Sequence, residues 1–123
     1  MEAKLKQLIT AGEGDKRTEW ALDQQRQGKK VIGVLCSYVP EEVIYAAGML
    51  PWQVNGTLRT GTPLADAYFP VQVCAYITHI MESLLQGELD FLDGVVATDW
   101  DDDRRHLLDL WKHLKKVPFA DLI

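Results

Sequence analysis

The chain has 123 residues, the size of one domain, with 47% hydrophobic and 25% charged residues. Its net charge is -5 and its pI is about 5.1, with no basic stripe, which speaks against nucleic acid as a partner. No apolar run is long enough to span a bilayer, and "MEAKLKQLIT" lacks the apolar core and cleavage site of a signal peptide, so a cytoplasmic protein is expected.

The first segment, Glu2 to about Gln27, is rich in strong helix formers but carries Gly12 and Gly14. It predicts a short helix, a break near "AGEGD", and a second helix from about Lys16 that Gly28 stops. Its apolar face is thin (Leu5, Leu8, Ile9, Trp20, Ala21), which places this arm on the outside of the fold or on a partner. "KKVIGVLC", bounded by Gly28 and Pro40, reads as a buried parallel strand. "PEEVIYAAGM" follows as a helix: Pro40 suits the first turn and Glu41 and Glu42 suit its positive end. Val43, Ile44 and Ala47 fall at helical spacing, and Gly48 is the stop.

"LPWQVNG" predicts a second short strand, closed by the turn pair Asn55-Gly56. After an irregular stretch, a long helix is expected from about Val71 to Gln86, with Val73, Ile77, Ile80, Met81 and Leu84 as its apolar stripe and Gly87 as its stop. "DFLDGVVAT" gives a third strand. "DDDRRHLLDLWKHLKK" gives a helix whose acids lead and whose bases trail, as the helix dipole favours; Leu107, Leu108, Leu110, Trp111 and Leu114 form its buried side. "VPFADLI" opens a fourth strand. Strands alternating with helices make the fold class α/β: a parallel sheet of about four strands with flanking helices, a Rossmann- or flavodoxin-like half, preceded by a helical arm over residues 1–27. In such sheets ligands bind beyond the carboxyl ends of the strands. Cys36 to Pro40, the Gly56 to Pro70 region and Thr98 to Asp103 converge there, and Cys74 opens the helix after the second of these loops.

Two widely separated cysteines in a cytoplasmic setting are thiols or single metal ligands rather than a disulfide. They cannot by themselves hold a four-iron cluster. Cys36 is either a small buried residue at a strand end or a thiol with a lowered pKa. Ser37 either caps the following helix or orients an anionic or carbonyl ligand. Glu41 and Glu42 read as a solvated pair at the helix start. Cys74 is either structural or a cluster ligand. His79 does not share its face, so no Cys/His metal pair follows, and His106 and His113 read as solvated. In "DWDDDRR" the simplest reading is a capped helix start with Arg104 and Arg105 pairing back to the acids; the functional version sets one of them against a phosphate or carboxylate. No HExxH, phosphate loop, GxSxG or CxxC motif is present.

Taken together, "GKKVIGVLCSYVPEEVIYAAGMLPWQVNG", "ADAYFPVQVCAY" and "GELDFLDGVVATDWDDDRR" resemble the 2-hydroxyacyl-CoA dehydratase and benzoyl-CoA reductase family, D-component type, from Gly28 to the end of the chain. The resemblance implies an iron–sulfur subunit that works without oxygen and dehydrates or reduces a CoA thioester through a radical. It implies a related second subunit and an ATP-dependent activator as partners, with acyl-CoA as the ligand and a 4Fe-4S cluster as the cofactor. Carried over by position, Cys74 matches a cluster cysteine. Trp100 stands where a second cysteine, followed by an acid and then two arginines, is expected. Cys36 and Ser37 lie at the strand end where the thioester would sit, as candidate catalytic residues; Ser37, Arg104 and Arg105 are candidate substrate contacts. Family members are several hundred residues long, so residues 28–123 correspond to an N-terminal α/β domain that is truncated, expected to be inactive alone and to associate as a dimer or with a partner. Two further readings stand beside this one: a cluster-free scaffold domain of the same ancestry, and a small α/β domain that binds a nucleotide-like ligand.

Overall fold

The computed structural model describes residues 1–11, 14–56, 59–70, 72–114 and 116–123, with side chains described outside 8–15. The predicted break at Gly12, the apolar positions Leu8 and Ile9, and the predicted helix start at Val71 lie outside the described residues or side chains.

Helices α1 (Glu2–Ala11) and α2 (Gly14–Arg26) form the arm. There follow β1 (Val31–Val34), α3 (Glu41–Ala46), β2 (Leu50–Gln53), a 3-10 turn at Ala65–Ala67, α4 (Ala75–Leu85), β3 (Gly94–Ala97), α5 (Asp102–Leu114) and β4 (Ala120–Leu122). All strand pairs are parallel, and the sheet order is β2-β1-β3-β4. The α/β class, the four strands and the leading helices are therefore as the sequence predicts.

The order dictates the layering. The chain moves outward from β1 to β2, then crosses back over β1 to β3 and on to β4. Right-handed crossovers put α3 on one face and α4 and α5 on the other. The core divides in that way. Val31, Leu35, Leu50, Trp52, Val95 and Ala97 pack against Ile77, Ile80, Met81 and Leu84 of α4 and Leu107, Leu108 and Trp111 of α5. Ile32 and Val34 turn to the other face and meet Val39 and Ile44 around the short α3. Each large side chain fully buried contributes about 1.5–3 kcal/mol, so the first face carries most of the stability. Gly33 is needed in β1: a Cβ there would lie 2.8 Å from Leu92 Cδ1 and 3.1 Å from Val54 Cγ2.

The helix α3 corrects part of the sequence reading. Only Ile44 of its expected apolar positions is buried; Val43 and Ala47 are exposed, because six residues give one turn and a half of contact. Pro40 is its N-cap residue, and no side chain caps it, so Ser37 does not serve as the cap. The arm lies outermost, as expected, but α2 is also stitched to the sheet. Ala21 is buried, and Gln25 Nε2 donates to Phe91 O at 2.6 Å and to Asp93 Oδ2 at 2.8 Å. Asp93 Oδ2 also accepts the Val31 N–H at 2.9 Å. Burial works against the Asp93 carboxylate, but these donors and Lys30 outweigh it and lower its pKa. On the other side, Arg17 Nη2 donates to Gln53 O at 2.8 Å and its guanidinium lies 4.8 Å from the Trp52 ring centre. No helix among the described residues is long and apolar enough to cross a membrane.

Candidate functional site at the sheet's switch point

The chain leaves β1 toward β2 and leaves β3 toward β4, so the two loops part above neighbouring strands. This divergence opens a crevice beyond the carboxyl ends, the usual ligand position in open parallel sheets. A cleft of about 310 Å³ lies there, lined by Leu35, Cys36, Ser37, Gln53, Asn55, Tyr76 and Arg104. Three of the four residues singled out for catalysis or substrate contact, Cys36, Ser37 and Arg104, therefore share one cleft. Arg105 does not line it; the guanidinium pairs with Asp99 and Asp102 on the surface.

Cys36 is buried among Ile32, Val34, Val39 and Ile44. Burial alone would push its thiol up. The Thr98 hydroxyl, the Tyr38 backbone N–H, the Arg104 charge and the Ser37 hydroxyl outweigh that and hold its pKa below the ordinary thiol value. Cys36 is thus a buried residue just past the strand end, with polar neighbours that favour its thiolate. Thr98 and Arg104 act from the far side of the crevice, supplied by the end of β3 and by α5.

Arg104 is fixed from three sides. Asp101 caps α5 by accepting the Arg104 N–H at 2.8 Å, and the same carboxylate pairs with the Arg104 guanidinium. The guanidinium carbon lies 5.8 Å from the Tyr76 ring centre. Its Nε–H is buried and has no acceptor among the described residues, while the residue as a whole lines the cleft. The expected pairing of the arginines with the acidic run is thus observed.

Tyr76, which sequence reasoning passed over, is the centre of the cleft. Its hydroxyl shares one proton between Val54 O at 2.7 Å and Leu35 O at 3.2 Å, tying the ends of β2 and β1 to α4. Burial pushes its phenol up, so it stays protonated at neutral pH. Arg104 and Cys36 line the cleft with this phenol, and Cys74 does not. The only signal in the sequence was an aromatic residue two positions after a cysteine at a helix start.

Cys74 is the N-cap residue of α4 and is exposed. Its backbone N–H faces Asp103 Oδ2 at 3.4 Å, which links the starts of α4 and α5. Trp100 is 66% exposed and leans on Tyr38, 66% exposed, with ring centres 5.1 Å apart. This pair bridges the two diverging loops at the rim. Among the described residues no group of three or more His, Cys, Asp or Glu side chains gathers as a metal site. One thiolate does not hold a four-iron cluster, so these residues do not form a cluster site by themselves.

The family model for the D-component of 2-hydroxyglutaryl-CoA dehydratase matches residues 36–122, from Cys36 through β4. The chain belongs to this family. It is 45% identical over 74 residues to the beta subunit of (R)-2-hydroxyglutaryl-CoA dehydratase from Acidaminococcus fermentans, covering 58% of this chain and 19% of that one. It is 31% identical over 119 residues to the beta subunit of lactoyl-CoA dehydratase from Anaerotignum propionicum, covering 95% of this chain and 31% of that one. It is 35% identical over 86 residues to one of the subunits of benzoyl-CoA reductase from Thauera aromatica, covering 68% of this chain and 22% of that one. The chain therefore spans between about a fifth and a third of the length of these relatives. The family expected from the three quoted stretches is the family found.

Proposed function

We propose that the chain is the first α/β unit of an iron–sulfur subunit that dehydrates or reduces a CoA thioester by one-electron chemistry, together with a second subunit and an ATP-dependent activator. The observation that carries this reading is the switch-point cleft, where Cys36, Ser37 and Arg104 meet inside the stretch that matches the family. The names of the relatives, dehydratase beta subunits and a benzoyl-CoA reductase subunit, support the reaction class.

In this reading the thioester carbonyl lies in the cleft. The Arg104 guanidinium and the Ser37 hydroxyl donate to its oxygen. Cys36 Sγ, acidified by its neighbours, takes or returns a proton beside the acyl group. Arg105, held by Asp99 and Asp102, offers charge only at the rim. Cys74 supplies one thiolate to a 4Fe-4S cluster whose other ligands come from outside these residues.

The test is anaerobic assembly of the complete subunit with its second subunit and activator. Cys74→Ser should lower the bound iron and abolish turnover. Unchanged iron and turnover would remove Cys74 from the ligand set.

A second reading, a cluster-free partner-binding domain, draws on Trp100. An exposed indole stacked on Tyr38 cannot ligate iron, and it gives the rim an aromatic contact surface. Iron-free but tightly associated complete subunits would favour that reading over the first.

A further inference from the structure

A larger hollow, about 610 Å³, lies between α2 and β2, and Arg17, Trp52, Asn55, Gly56 and Arg59 are among its lining residues. It is not isolated from the switch-point cleft. Asn55 lines both. A smaller hollow of about 230 Å³ between them shares Gly56 with the larger one and Tyr76 with the cleft. The three hollows are neighbours along the end of β2, each sharing a lining residue with the next, and a long ligand could lie across them.

The chemistry changes along that row. The cleft end carries the Cys36 thiol and the Arg104 guanidinium. The arm end carries two guanidiniums, Arg17 and Arg59, and two carboxylates, Glu19 and Glu88. Arg59 is joined to Glu88 by its Nη2. Arg17 has no carboxylate partner among the described residues; it lies over the Trp52 ring and is anchored to Gln53 O. An anchored guanidinium with no ion-pair partner among the described residues, next to an aromatic ring, suits a phosphate on a long ligand even with Glu19 in the same hollow.

We infer that this row of hollows binds the phosphate-bearing tail of the thioester at Arg17, with the acyl end at Cys36. This rests on the reading of the cleft given above and adds a second subsite, supplied by the arm. The arm then has a role in recognition and is more than an outer layer.

The test is calorimetric titration of the 123-residue chain with two probes, coenzyme A and adenosine 3′,5′-bisphosphate, which carries two of the three tail phosphates without the thiol arm. Arg17→Gln should weaken both by about tenfold, the size of one lost charge-assisted hydrogen bond, and Arg17→Lys should recover part of the loss. Circular dichroism and the thermal midpoint of each variant separate lost binding from lost folding. Equal affinities for wild type and a folded Arg17→Gln, or no binding of either probe, would overturn the tail subsite. The two readings fail separately. If the probes bind through Arg17 but a bound acyl-CoA leaves Cys36 alkylation unchanged, the tail subsite stands and the cleft reading falls.

Discussion

The Tyr76 hydroxyl donates to the Val54 carbonyl at 2.7 Å, and through this bond the first turn of α4 holds the end of β2. The same proton is shared with Leu35 O, one residue before Cys36. The cleft therefore keeps its shape through a single phenol placed between two strand ends. Tyr76→Phe removes that tie and leaves two carbonyls short of a donor. We expect a loss of about 1 kcal/mol in denaturant unfolding. Alkylation of Cys36 should also accelerate, because the loop that covers it loosens. A variant as stable as wild type, with unchanged alkylation, would show that packing alone sets the cleft.

Cys36 should be alkylated as a thiolate at lower pH than a free cysteine, because Thr98, Tyr38, Arg104 and Ser37 together outweigh the cost of its burial. Thr98→Val removes a buried hydroxyl that has no other hydrogen-bond partner among the described residues. The half-point of the rate-versus-pH curve should then move up, measured with iodoacetamide in a Cys74→Ser background. Arg104→Gln should move it the same way. The stability linkage has the opposite dependence to that of a raised group: a depressed thiol pKa stabilises the fold above the unfolded value, and that contribution disappears as pH falls through the folded value.

Glu82 is a buried carboxylate on the apolar face of α4. It accepts the Leu64 and Ala65 N–H groups, each at 2.9 Å, and Gln86 Nε2 at 2.9 Å. Burial pushes its pKa up, but these donors and Arg59 outweigh it, so the folded value lies below the ordinary one. Its contribution is fully present above the unfolded pKa of about 4.3 and is lost as pH falls through the lower folded value. Unfolding measured across this range should show stability dropping in acid, and Glu82→Gln should flatten the drop. The same variant should cost about 2 kcal/mol at neutral pH, because two charge-assisted bonds become weaker neutral ones. A flat wild-type profile would remove Glu82 from the acid response.

The legible parts of this fold are those set by local pattern. The apolar run of β1, the proline start of α3, the glycine stops and the acid-to-base order of α5 all lie within one window of sequence. Gly28, Gly48 and Gly87 take positive φ just past the ends of α2, α3 and α4, as their positions predict. The convergence of the Cys36 and Thr98 loops also follows from strand order alone. What stayed hidden depends on partners far apart in the chain. Glu82 and Asp93 look like surface acids until Leu64 and Val31 are placed beside them. The acidity of Cys36 needs Thr98 and Arg104, more than sixty residues away. Val43 reads as an inward residue by spacing, and only the shortness of α3 turns it outward.

The central claim is that the switch-point cleft receives the acyl end of a CoA thioester. It is tested most directly by following carbamidomethylation of Cys36 by mass spectrometry in a Cys74→Ser background, with and without saturating acyl-CoA. Occupancy of the cleft predicts that bound acyl-CoA slows the modification at least about tenfold, as exclusion of reagent from an occupied pocket requires. An unchanged rate, under conditions where calorimetry shows the acyl-CoA bound, would contradict it.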